Sequence, residues 1–156
     1  MQLRRFQEGD APALYQVYFS AVHTIASRDY TSEQVFAWAP VECDVALWAE
    51  RMRSNNPFVV ERQGCILGYA DVQPSGFIDH FFVSGTCPRQ GVGRLLMQRI
   101  HQEASTLGLA ELTANVSATA EPFFAHHGFV VLERRKPVRR GVELHNAFMR
   151  KMLSNE

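Results

Sequence analysis

FFVSGTCPRQGVGRLL, residues 81–96, is the stretch on which the reading of this chain turns. Three β-forming residues, Phe81 to Val83, lead through a glycine-containing turn into a run in which Val92, Leu95, Leu96, Ile100, Ala104 and Leu107 recur at helical spacing, closed by Gly108. A strand therefore feeds a long amphipathic helix through a loop that carries Gly91 and Gly93. Without Cβ atoms there, backbone can approach a ligand closely, and the free N–H groups of the first helical turn, aided by the helix dipole, can hold the oxygens of a pyrophosphate. Two glycines at a helix start also serve a plain tight turn, so context decides. A P-loop needs Lys-Ser/Thr after its last glycine, where this chain has Arg94-Leu95, and a dinucleotide fingerprint needs a third glycine, where this chain has Leu96.

Working toward the N-terminus, Phe77 to Val83 reads as one strand, preceded by a hairpin of Phe58 to Arg62 and Cys65 to Val72 around Gln63-Gly64. Three sequential antiparallel strands are expected from this spacing. Before them come a strand at Leu3 to Phe6, a helix capped by Asp10, a short helix opened by the capping box Thr31-Ser-Glu-Gln34 and ended by Pro40, and a helix from Asp44 with Val45, Trp48 and Met52 as its apolar stripe. Toward the C-terminus follow a strand at Leu109 to Val116, a short helix at Ala118 to His127, and a hairpin of Phe129 to Arg135 with Val142 to Met152. The expected class is α+β, a mixed, mostly antiparallel central sheet with helices on both faces, in one domain spanning 1–156.

The chain has 156 residues, 46% of them hydrophobic, with sixteen Lys plus Arg against sixteen Asp plus Glu. A balanced charge offers no field to draw the protein to nucleic acid or an anionic membrane, and neither partner is expected. Three widely spaced cysteines, Cys43, Cys65 and Cys87, match neither a disulfide framework nor a zinc site. No metal is expected: His126 and His127 are adjacent, and neither has a His or carboxylate at i+4. The charged opening and the absence of a ~20-residue apolar run lead us to expect a cytoplasmic protein.

Phe82-Val83 followed by Pro88-Arg89-Gln90-Gly91-Val92-Gly93 resembles the signature of the GNAT N-acetyltransferase superfamily, an apolar-Val strand end leading to [Q/R]-x-x-G-x-[G/A]. Leu3-Arg-Arg with Gly9-Asp10, Asn115, the run Ala120-Glu-Pro-Phe-Phe124 with Gly128-Phe129, and Asn146-Ala-Phe-Met149 are similar to family positions in the same order. Tyr30-Thr-Ser-Glu-Gln34 before Trp38 resembles small bacterial members. The resemblance covers nearly the whole chain and implies transfer of an acetyl group from acetyl-CoA to the primary amine of a small molecule or peptide; it leaves room for a homodimer.

By that resemblance Phe82, Val83, Arg89, Gln90, Gly91, Val92, Gly93, Arg94, Asn115, Phe123 and Phe124 contact the cofactor, main-chain N–H groups near Phe82 and Val83 polarise the thioester, and His23, Tyr30 and Trp38 lie over the acceptor. Plain core packing is the competing role for Tyr30 and Trp38. Asp79 and His80 are the titratable pair in the decisive strand. Strand alternation puts them on opposite faces, so one alone would face the acceptor. Asp79 is the expected general base, with His80 as alternate; a bond to a neighbouring backbone group or to an arginine is the competing role for Asp79. Two positions depart from the family pattern. Pro88 has no N–H, and Phe124 replaces the tyrosine that would protonate the departing thiolate, which keeps open a second reading as a CoA-binding sensing or regulatory module with little turnover.

Overall fold

In the computed structural model, which describes residues 1–86 and 90–154, ten strands and five helices build two four-stranded sheets that share a fork. The first sheet has the order β1 (Gln2–Arg5), β2 (Phe58–Arg62), β3 (Cys65–Ala70), β5 (Phe81–Val83), all antiparallel. The second has the order β4 (Phe77–Ile78), β6 (Glu111–Ser117), β10 (Asn146–Met152), β7 (Val130–Arg135), antiparallel except for the parallel β4–β6 pair. A small hairpin of β8 (Val138–Arg139) and β9 (Val142–Glu143) joins β7 to β10. The expected α+β class, mostly antiparallel with helices on both faces, holds.

Local signals produce most elements where expected. The β2–β3 turn puts Gln63 and Gly64 at φ 53° and 78°, the pair of positive φ values that a tight two-residue hairpin needs. Thr31 and Gln34 form a reciprocal capping box at the start of α2 (Ser32–Trp38), and the Asp44 carboxylate accepts from the Leu47 N–H to start α3 (Val45–Asn55). Asp10 stands at the N-cap of α1 (Ala11–Ser20), its carbonyl accepting from the Leu14 N–H, but its side chain makes no cap bond, because its carboxylate accepts from the Gln7 N–H and the Arg4 guanidinium instead. Beyond α1 the helix loosens into a π-turn at Ala21–Ile25 and tightens into a 3₁₀ turn at Ala26–Arg28.

The largest departure is in the strand read as Phe77 to Val83, which breaks at Asp79-His80. Its first half stays with β6; its second half leaves β6 and pairs with β3. The cause is Asp71, a buried residue just past β3. Its backbone N–H donates to the His80 carbonyl at 3.1 Å, while its carboxylate accepts from the N–H groups of His80 at 2.6 Å and Asp79 at 3.2 Å, and from Gln73 Nε2 at 2.7 Å. A side chain thus replaces the ladder partner at that point, and the sheet divides.

Opposite faces of the first sheet bury different cores. Phe58, Val60 and Leu67 pack with α4 (Val92–Leu107), whose Val92, Leu96, Met97 and Ile100 are buried; Val59 and Tyr69 pack with Leu14 and Val17 of α1 and Met52 of α3. Gly68 permits the close approach of α4: a Cβ there would stand 2.7 Å from Val92 Cγ1. Among the described residues no helix is long and apolar enough to cross a membrane.

Candidate active site

Where β5 and β6 diverge, three openings follow one another. The first lies against the N-terminal turn of α4, lined by Gln90, Gly91, Val92, Gly93, Arg94 and Phe123 among others. Gly91 sits at φ 79°, and the Gly91 carbonyl accepts from the Leu95 N–H, so the N–H groups of residues 92–94 precede the first i→i−4 bond of the helix. The second is an apolar cavity of about 180 Å³ between Ala21 and Val22 of the π-turn, Phe81 to Val83, and Phe123 and Phe124 of α5 (Glu121–His126). The third is a more polar cleft of about 150 Å³ that includes Tyr18, Trp48, Asp79, His80 and Asn115. Val83, Gly93 and Phe123 border both first and second openings, and Trp38, Phe82 and Ser117 border both second and third.

The register Tyr69↔Phe82, with Ser84 donating to the Leu67 carbonyl, turns the Phe82 N–H toward β3. By alternation the N–H groups of Phe81 and Val83 turn to the side that β6 has left. The donors available to a ligand there are thus one residue to either side of Phe82.

Because the strand breaks between them, Asp79 and His80 do not alternate; both border the third cleft. Asp79 is held by Arg51, whose Nε and Nη2 donate at 3.1 and 3.0 Å, and by Asn55 Nδ2 at 2.8 Å. Burial works to raise its pKa, and the positive or donating groups around it outweigh burial, leaving it below the usual carboxylate range. The arginine pair weighed against the base role is therefore present, and both oxygens are occupied. His80 is pushed down to about 4, chiefly by burial, so it is neutral near pH 7. Its Nδ1 lies 2.9 Å from the hydroxyl of the buried Tyr69, and its Nε2 lies 3.7 Å from Asp79 Oδ2.

Trp38 stands at the junction of the second and third openings, but the other two residues expected over the acceptor do not reach either. Tyr30 is buried; its hydroxyl donates to the His145 carbonyl and accepts from the Ala118 N–H, tying the loop before α2 to the ends of β6 and β9. His23 Nε2 pairs with the Ala39 carbonyl at 2.7 Å, and its ring stacks on Phe19. Both satisfy their polar atoms inside the protein, which makes them supports of the helical wall. Asn115, expected against the cofactor, faces the third cleft and accepts from Arg135. Phe124 borders the apolar cavity but is 3% exposed, with Phe81, Phe123 and Phe129 around it. Cys87, Pro88 and Arg89 lie outside the described residues.

Sequence reasoning missed Arg51, Asn55, Asp71 and Arg139. Arg51 follows Trp48 at i+3, which alone would have put both on one helical face; Asp71 at the end of an apolar strand was the one polar residue calling for a partner.

The family described as acetyltransferase (GNAT) domain matches residues 26–153. The uncharacterised N-acetyltransferase YafP of Escherichia coli (strain K12) is 31% identical over 96% of this chain and 95% of its own length. A crystal structure of a GCN5-related N-acetyltransferase from Rhodopseudomonas palustris superposes with a TM-score of 0.92 at 28% identity, covering 97% of this chain and 95% of that one. The protein yncA of Salmonella typhimurium, solved with its cofactor acetyl-CoA, shares the fold at 22% identity with a TM-score of 0.70, covering 100% of this chain and 95% of that one.

Proposed function

Since this chain belongs to the GNAT acetyltransferase family, we propose that residues 1–156 act as one N-acetyltransferase domain, moving an acetyl group from acetyl-CoA to the primary amine of a small molecule or peptide by direct attack. The observation that carries this reading is the run of three openings through the fork, with an anion-suited helix start at one end and an aromatic and polar cleft at the other. The cytosol, where acetyl-CoA is made, is the compartment the reading calls for.

The residues present suit the cofactor. At Gly93 a Cβ would stand 3.2 Å from the Phe123 ring, so hydrogen keeps the passage from α4 to the apolar cavity open. The N–H groups of residues 92–94 suit a pyrophosphate, and the lining of Ala21, Val22, Val83 and Phe123 suits a thin, largely apolar arm. When bound, acetyl-CoA supplies an activated acyl carbon and a thiol leaving group. The N–H groups of Phe81 and Val83 orient and polarise its carbonyl. Trp38 and Phe82 direct the acceptor to the junction between cleft and cavity, so that positioning supplies much of the rate.

The amine proton passes to the Asp79–His80 pair. Neutral His80 accepts it, directly or across one water, and the Asp79 carboxylate beside it stabilises the resulting imidazolium. A weak base suffices, because a nitrogen that has begun to share its lone pair with the acyl carbon becomes acidic. No phenol is available at Phe124, and a thiol with a pKa near ~8.5 leaves tolerably as thiolate. The test is an acceptor library assayed for release of free CoA. Turnover on one amine class is expected; thermal stabilisation by acetyl-CoA with turnover on none would overturn the reading in favour of a CoA-binding module.

A further inference from the structure

We propose that the acceptor is a small primary amine that also carries a carboxylate, and that Arg139 binds that carboxylate. The proposal rests on the acetyl-transfer reading and adds the chemical class of its second substrate. Of the charged side chains lining the third cleft, Arg51 is matched by Asp79, whereas Arg139 has no carboxylate within ion-pair distance among the described residues. The cleft therefore holds one cation in excess, and its field is felt inside: the Arg139 charge opposes protonation of His80 and favours ionisation of Tyr18.

Arg139 is exposed, but the hairpin that carries it is fastened. Arg140, at φ 49°, does not line the cleft and donates to the Ala37 carbonyl at 2.7 Å. Gln34 Nε2 donates to the Glu143 carbonyl at 3.0 Å, and the Leu144 N–H closes onto the Pro137 carbonyl at 2.8 Å. α2 thus holds the β8–β9 turn in place, and Arg139 is presented to the cleft from a fixed backbone. Neither of the residues bordering both cavity and cleft that would guide the amine, Trp38 and Phe82, is charged, so the two ends of the cleft differ in kind. The apolar junction receives a neutral amine; the hairpin end receives an anion. The cleft volume of about 150 Å³ is below the roughly 300–1,000 Å³ of drug-sized sites, which favours a ligand of amino-acid size.

The experiment compares amino acids with their own carboxamides as acceptors, in wild type and in Arg139→Gln. Amine basicity differs within each pair but cancels when the acid-to-amide ratio of kcat/KM is compared between the two proteins. An arginine–carboxylate bond at a solvent-exposed position should shift that ratio roughly tenfold in favour of the acid in wild type, and Arg139→Gln should erase the shift. An unchanged ratio in Arg139→Gln overturns the proposal and leaves acetyl transfer standing. If no amine is turned over, the acetyl-transfer reading falls; calorimetry of the same pairs in the presence of CoA then decides the proposal, which requires tighter binding of the acid in wild type and loss of that difference in Arg139→Gln.

Discussion

Asp71→Asn should abolish the pH dependence of stability that this one buried carboxylate imposes. Burial is the largest influence on Asp71 and raises its pKa from 3.8 to about 6, against the opposing donation from Gln73 and the N–H groups of His80 and Asp79; the Asp79 charge raises it further. The folded state therefore holds this proton more tightly than the unfolded chain does. Its contribution to stability is fully present below the unfolded pKa near 4 and is lost as pH rises through about 6. A shift of about two units corresponds to ~3 kcal/mol, as an order of magnitude, by which the wild type loses ground between pH 4 and pH 7 relative to a variant that has nothing to ionise there. Urea unfolding of wild type and Asp71→Asn at half-unit steps from pH 3.5 to 8 measures it. The difference between the two proteins should move in favour of Asp71→Asn as pH rises, changing across the window from about 4 to about 6 and levelling off above it. Asp10, whose pKa is lowered, acts in both proteins alike and cancels in the comparison. Parallel curves across pH 4 to 7 would refute the reasoning, and with it the account of the fork as a strand break held by a buried carboxylate. In turnover the sign reverses: the new amide directs an N–H donor at the donors of Gln73 or Asp79, disturbing the backbone that aims Asp79 and His80, so kcat should fall while acetyl-CoA affinity holds.

Gly93→Val should weaken acetyl-CoA binding by tenfold or more while the protein stays folded, because the added methyls meet Phe123 and close the passage between the first two openings; unchanged affinity by calorimetry would remove the helix start from the cofactor path. Tyr30→Phe should cost about 1–3 kcal/mol of stability, since the Ala118 N–H and the His145 carbonyl both lose their partner, yet leave KM for the amine unchanged; a raised KM with unchanged stability would return Tyr30 to the acceptor site. Asp79 and His80 are both pushed low, so kcat/KM should climb with pH along the ionisation of the acceptor amine, shifting when the acceptor is changed; a limb that stays put across acceptors of different basicity would assign the proton step to another protein group.

What could be read from the sequence was set by short-range chemistry. The α4 helix, the Gln63-Gly64 hairpin and the capping box at Thr31 each depend on residues within a few positions of one another, and each formed as read. The strand break could not be read that way, because its cause, Asp71, lies eight and nine residues from the N–H groups it captures. The same holds for the side chains of the site. Arg51 reaches Asp79 across 28 positions, and Tyr30 meets His145 across 115, so residue type alone could name them as candidates without saying whether each would face the ligand or a partner in the protein.

A sheet that forks leaves two strand edges facing each other over a gap, with hydrogen-bonding groups on β5 and β6 that have only to meet to become a continuous ladder. Such a gap is a suspended zip. Asp71 starts the divergence, and bulk fills the gap beyond it: Phe81, Phe123 and Phe124 stand edge to face or tilted at 5.4 to 5.9 Å between ring centres, a wedge of three rings beside the point of divergence. Shaving the wedge with alanines would thus threaten more than a cavity in the core. It would offer the two edges a route to each other, producing a protein with more strand pairing and less room for substrates, one that could pass every test of foldedness while having sealed its own entrance.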